Sequence, residues 1–410
     1  MTTTANVDLF DPGFHADPHA TYRRLREEAP ACRVTIPDRG EVWLLTRHAD
    51  VLAVLRDDAR FSTRAMVSQG ADAPAVSPGA RGVMALFDSF MSSNDPPDHT
   101  RLRALVQKAF TPRLVEEMRG FVQELADRLL DAVHERAAAT GDRSMDLIAD
   151  YAFPLPVTVI MNLLGIPERD REDLRRWSRA LARFDRSPAG AEALTGELVP
   201  YLDYVRGLLD ARRRAPGDDL LSALVAPDRA DSLSETELVS MTFGLTFAGH
   251  ETTTHLLGNS VLALLEHPDQ LARLRTDPEA MRWAVEEFLR YDGPIELRRR
   301  IALEDAEVGG VLIRRGEVVL VSLAAADRDP AVFDAPDRLD ITREDTHHVA
   351  FGRGVHACLG APLARLEAEI ALSTLLRRMP DLRLAVPSHE LQWKPSGLHL
   401  RGLAALPLRF

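Results

Sequence analysis

Apolar positions recur every three or four residues along most of this chain, the spacing of helices that bury one face. The stretch "PHATYRRLREEA" opens on proline and keeps that spacing, which predicts a helix. "CRVTI" and "EVWLLT" flank the turn "PDRG" and predict a β-hairpin, after which "HADVLAVLRD" returns to helix. From about Asp98 to Arg213 amphipathic patterns follow one another, broken at "DRSPAG". The longest is "LSETELVSMTFGLTFAGHETTTHLLGNSVLALLEHP". Ser234 and Glu237 predict a capping box at its start, and Pro268 predicts its end. About 33 residues at 1.5 Å rise predict one helix of roughly 50 Å. Its centre is apolar nearly all round, so it should be buried. Two further helices precede β signals in "ELRRRIAL", in "AEVGGVLIRRGEVVLVSL" (a hairpin), and in short strands among the last thirty residues. The expectation is a mainly α chain with a minor β-rich part, one domain over residues 1–410.

Residues 61–96 break the pattern. They are rich in Gly, Pro and Ser yet hold Met84, Phe87, Phe90 and Met91. A loop of this length in a compact domain is usually a functional lid or disordered, and the large apolar groups favour a lid over a cavity. "DRSPAG" is a second candidate for a flexible connection.

Composition narrows the function. An apolar fraction of 45% with 27% charged residues fits a globular protein with a substantial core. A net charge of −12 argues against nucleic acid as partner, because phosphate binding rests on a positive field. The sequence has no apolar run near the roughly 18 residues of a membrane span and starts without a signal-peptide pattern, so a cytoplasmic protein is expected. All but two of the 50 basic residues are arginine, as a GC-rich coding bias produces. Two cysteines, Cys32 and Cys358, cannot build a disulfide framework.

Cys358 lies in the glycine-rich turn "FGRGVHACLG". Gly352-x-Gly354-x-x-Ala357 imitates a dinucleotide fingerprint, but too little chain follows for a nucleotide-binding half. Zinc lacks ligands: there is no CxxC pair, and only His356 is near Cys358. "HETTTH" imitates a zinc-protease motif, but His250 and His255 are five apart and point about 140° away from each other. A thiolate bound to an iron cofactor remains. Its charge needs backbone N–H donors and a helix N-terminus, and a glycine turn leading into a helix from Gly360 offers both.

That turn, Phe-Gly-x-Gly-x-His-x-Cys-x-Gly, closely resembles the haem-thiolate loop of cytochromes P450, and the resemblance extends over the whole chain. It implies the cytochrome P450 fold, with one haem b between the long helix and the loop. Cys358 would be the iron ligand, with Phe351, Gly352, His356 and Gly360 around the cofactor. "AGHETT" resembles the family's oxygen-activation segment: Ala248 and Gly249 would face the haem, and Glu251 and Thr252 would be the acid–alcohol pair for proton delivery. "DPPDHTRLR" resembles the segment that meets the haem propionates through His99 and Arg103. Arg300 would join them from the β region, with Arg298 as substitute. Glu287-x-x-Arg290 resembles a buried ion pair completed by a later arginine, here Arg338.

The implied activity is monooxygenation of a hydrophobic small molecule, such as a macrolide or other polyketide, a terpenoid or a steroid-like compound. The implied electron donors are a ferredoxin and its reductase. Arg101, Lys108, Arg353 and Arg365 are candidates for the docking patch. Phe87, Phe90, Met91, Ile295 and Leu398 are candidates for substrate contact, and a monomer is expected. A peroxide-using enzyme of the same fold, or a non-enzymatic haem sensor, would not need the Glu251–Thr252 pair that is present here.

Overall fold

A computed structural model describes residues 7–37, 40–64, 86, 88–170, 172–173, 176–177, 188–226, 232–344, 347–394 and 399–410. The main helices are α1 (Pro18–Glu28), α2 (His48–Arg56), α3 (Asp98–Ala109), α4 (Pro112–Thr140), α5 (Pro154–Leu163), α6 (Pro188–Arg214), α7 (Glu235–Ala248), α8 (Glu251–Glu266), α9 (Pro268–Thr276), α10 (Met281–Asp292) and α11 (Ala361–Arg378). The strands are β1 (Ala31–Ile36), β2 (Gly40–Leu45), β3 (Phe61–Ser62), β4 (Ser144–Asp146), β5 (Leu297–Ala302), β6 (Ala306–Val308), β7 (Val311–Ile313), β8 (Val318–Ser322), β9 (Arg383–Leu384) and β10 (Pro407–Arg409). This is the mainly α architecture with a small β part that the spacing predicts.

The chain folds into two compact units. The first comprises Met1–Ser62, Glu116–Leu155 and Thr252–Phe410. It contains a five-stranded sheet in the order β1-β2-β8-β5-β3. The predicted hairpin pairs β1 with β2 from Ala31↔Leu45 to Ile36↔Gly40. β2 runs parallel to β8, and β8 antiparallel to β5. One face of the sheet buries Trp43, Leu45, Val319 and Val321 against Val51, Val54 and Leu55 of α2. The other packs Val42, Leu44 and Leu320 with Tyr22 and Leu25 of α1. Alternating side chains thus serve two cores, as a sheet covered on both faces requires.

The second unit comprises Thr63–Val115 and Pro156–Glu251. The capping box predicted for α7 is present: Ser234 Oγ accepts the Glu237 N–H, and the Glu237 carboxylate accepts the Ser234 N–H.

Four expectations need correction. The long apolar pattern is two helices, because regular helical bonding stops after Ala248 and restarts at Glu251. Gly249 sits at that break, and a Cβ on it would stand 2.8 Å from Ile160 side-chain carbons and from the Leu245 carbonyl. The stretch read as a hairpin closes only between β6 and β7, while β8 joins the large sheet. The segment expected to be a lid begins in a strand: Phe61 and Ser62 pair with Ala302 and Ile301. The last three residues of "DRSPAG" are the first turn of α6, where proline suits the missing N–H. Met84, Phe87 and Leu398, with residues 65–85 and 185–187, lie outside the described residues.

Candidate active site

In the first unit Cys358 sits on a loop closed by backbone bonds: its N–H reaches the Phe351 carbonyl at 2.8 Å, and Gly352 N–H reaches Val349 at 2.7 Å. Gly352 and Gly354 hold φ of 69° and 74°, the left-handed region that glycine adopts without steric cost. Gly354 is constrained twice, since a Cβ there would lie 2.5 Å from the Leu55 carbonyl of α2. The chain then enters α11 through Gly360 with Pro362 in the first turn, and the unpaired N–H groups of that turn carry partial positive charge beside the thiol. Cys358 is exposed while Phe351, Gly352, His356 and Gly360 around it are half-buried. Cys32 is buried, and burial pushes its thiol up to about 11, so it stays a neutral core group.

On β5 the side chains of Arg298 and Arg300 share one face by alternation. Arg300 is buried and donates to the Arg299 carbonyl at 2.9 Å. Arg298 keeps an accessible side chain, yet the protein packed around it pulls its pKa down, and the Cys358 sulfur opposes that pull. Ile295, just before β5, is buried and bridges to Leu400.

Glu287 and Arg290 of α10 form a bidentate buried pair at 2.7 and 2.8 Å. Arg290 also donates to the carbonyls of Asp327, Pro336 and Arg338. The third member expected, Arg338, contributes only its backbone: its side chain is exposed and pairs with Asp340. Arg343 completes the cluster instead, with Nε 3.2 Å from Glu287 Oε2. The loop curls so that the Asp340 N–H and the Arg343 side chain face Glu287, which turns Arg338 outward.

The neighbouring Glu286, which carries no sequence signal of its own, binds Arg365 at 2.5 and 2.8 Å and His348 at 3.0 Å. Burial pushes its carboxyl up, but the Arg365 and His348 hydrogen bonds outweigh that and hold it at about 2. Arg365 stacks over Phe351 at 4.5 Å, and Arg353 donates to the His348 carbonyl at 2.7 Å. Both arginines named for docking on this side therefore also brace the start of the Cys358 loop.

In the second unit His99 is buried and Arg103 half-buried, four apart on α3. Of the other docking candidates, Arg101 pairs with Glu237 and Lys108 is exposed. Phe90 lies on α7 so closely that a Cβ on Gly244 would stand 2.1 Å from its ring. Asn94 fixes this segment by donating to the Asp88 and Phe90 carbonyls at 2.9 and 2.8 Å, and Met91 is buried. Around the break, Leu245, Phe247, Ala248, Gly249 and Thr252 keep accessible surface, while Thr246, His250, Glu251 and Thr253 are buried. His255 of α8 packs on Gly402, where a Cβ would be 1.9 Å from its Nδ1, so it serves packing.

The donors of the first unit fit a haem. A thiol on a glycine loop suits iron, and the Arg298 guanidinium, whose charge interacts with that sulfur, suits a carboxylate of the macrocycle. Among the described residues no group of three or more His, Cys, Asp or Glu could hold a bare metal ion, and no helix is long and apolar enough to cross a membrane.

Fold and loop together define a haem-thiolate oxygenase. The family model for cytochrome P450 matches residues 203–381. The chain is 45% identical to cytochrome P450 107B1 of Saccharopolyspora erythraea, over 100% of this chain and 99% of that one. It is 46% identical to the cytochrome P450 monooxygenase PikC of Streptomyces venezuelae, covering 100% and 96%. Among solved structures, the bacillaene polyketide synthase cytochrome P450 PksS of Bacillus subtilis 168 superposes with a TM-score of 0.88 at 39% identity, covering 98% of this chain and 99% of that one. The chain belongs to the cytochrome P450 family and is a monooxygenase with a haem-iron cofactor.

Proposed function

We propose that this enzyme carries haem b and oxygenates a hydrophobic secondary metabolite of the macrolide or polyketide type, with electrons from a ferredoxin and its reductase. The balance is RH + O2 + two electrons + two protons → ROH + H2O, or the epoxide where RH is an alkene. The thiolate-bound haem supplies the activation of dioxygen. Cys358 would hold the iron. His99, Arg103, Arg300 and His356 would bind the propionates, with Arg298 beside Arg300 on the strand. The accessible residues Ala248, Gly249 and Thr252 would face dioxygen, with the Thr252 hydroxyl and the Glu251 carboxyl holding and passing protons. Arg353, Arg365, Arg101 and Lys108 would meet the acidic surface of the electron donor.

One observation carries this reading: the accessible Cys358 on a loop whose glycines and backbone bonds fix it at the start of α11. The substrate class is supported by the apolar Phe90, Met91 and Gly244 group and by a relative named as a polyketide-biosynthesis cytochrome P450. The test is a panel of macrolactones, fatty acids, terpenoids and steroids titrated into the holoenzyme, read by the spin-state shift of the haem spectrum. Macrolactones should shift the spectrum at the lowest concentrations and gain one oxygen from isotopically labelled O2. A shift confined to fatty acids or steroids would overturn the substrate class.

A further inference from the structure

His250 drops out of the metal reading, but its position is unusual. Its ring is fully buried, and Nδ1 lies 2.7 Å from the Thr246 carbonyl one turn back. A carbonyl only accepts, so Nδ1 carries the proton of that bond and Nε2 is the atom whose protonation can change. Nε2 lies 3.9 Å from Glu251 Oε2. On an unbroken helix adjacent side chains project about 100° apart and do not face each other. The break between Ala248 and Glu251 lets these two meet. Phe247 borders the ring at 6.1 Å, and Thr246 is held in turn by Tyr201, whose hydroxyl donates to its Oγ1 at 3.3 Å.

We propose that His250 is a positioning residue for proton delivery: its Nε2, 3.9 Å from Glu251 Oε2, closes to hydrogen-bond distance by side-chain rotation and then shares one proton with that carboxyl, so that the histidine sets the protonation state in which Glu251 rests. The pair has two forms that differ only in where that proton sits, neutral imidazole with carboxylic acid or imidazolium with carboxylate. When the pair gives up that proton from Oε2, a neutral imidazole and a carboxylate remain. A proton from solvent, taken up at the slightly accessible Glu251 carboxyl, restores the pair. The inference rests on the proposed role of Glu251 and Thr252.

Two measurements test it. The first is nitrogen NMR of the histidine-labelled holoenzyme in its diamagnetic reduced carbon monoxide state, with the His250 signals assigned by their loss in His250→Asn. Nδ1 should carry a fixed proton, and the Nε2 signal should move in Glu251→Gln. A bare Nδ1, or an Nε2 unmoved by that substitution, overturns the proposal. The second compares His250→Asn with His250→Gln. The asparagine amide can keep the bond to the Thr246 carbonyl but places nothing toward Glu251, whereas glutamine can reach it. His250→Asn should leave the substrate-induced spectral shift intact while product per NADPH falls about threefold to tenfold in favour of hydrogen peroxide, with partial rescue by His250→Gln. Unchanged coupling in His250→Asn, with Glu251→Gln strongly uncoupled, overturns this inference alone. Unchanged coupling in Glu251→Gln overturns the underlying role of the acid–alcohol pair as well.

Discussion

Single residues show where the sequence could and could not be read. Cys358, Gly352 and Gly354 announce themselves, because a thiol in a turn with two glycines has few structural explanations and each glycine meets a local demand. The partner of Glu287 does not. Arginines 290, 338 and 343 are among many that follow it in the chain, and only the path of an irregular loop decides which of the later two turns inward. The exchange gives a prediction. Arg343 is largely buried against Glu287, whereas the Arg338 side chain is mostly exposed. Arg343→Ala should lower stability by about 1–3 kcal/mol, since it removes a charged hydrogen bond from a buried carboxylate. Arg338→Ala should stay within about 0.5 kcal/mol, as the carbonyl it gives to Arg290 survives. The urea midpoint of haem release in the two variants measures this, and equal midpoints would contradict the assignment.

At the scale of elements, the hydrophobic pattern names helices well but hides their interruptions. Leu233 to Glu266 reads as one apolar helix because the pattern continues through Gly249, and only tertiary contact with Ile160 shows why the chain needs glycine at the break. The Pro/Gly/Ser segment before α3 reads as a lid in the sequence, yet Phe61, Leu86 and Met91 at its described ends are buried. Ser240 Oγ donates to the Leu86 carbonyl at 2.5 Å, and the Phe90 ring covers Gly244. Adding a methyl group at residue 244 must therefore push that ring aside. Gly244→Ala should cost about 1–3 kcal/mol as an overpacked site and should change both substrate affinity and the position oxidised. Phe90→Ala in the same chain should recover most of the stability, because it removes the clashing ring. Additive losses in the double variant would show that the two side chains do not compete for that space.

For the whole molecule, the recognisable motifs survive because each is local. The loop of Cys358 lies within ten residues, the acid–alcohol pair within one helical turn, and the buried pair of α10 at i,i+3. What joins distant segments was not legible: the order of the five-stranded sheet, the parallel pairing of β2 with β8, and the Glu286–His348–Arg365 brace. These depend on closing long stretches of chain, and no short pattern records them. The family assignment makes one demand of the molecule above all others, that the Cys358 sulfur is the ligand of the haem iron. The most direct measurement is the absorption spectrum of the reduced holoenzyme under carbon monoxide, for the parent and for Cys358→His. The parent should show the red-shifted band diagnostic of a thiolate ligand, and Cys358→His should lose it while the protein remains folded by circular dichroism. A thiolate band that persists in Cys358→His, or that is missing from the folded, haem-loaded parent, would contradict the account.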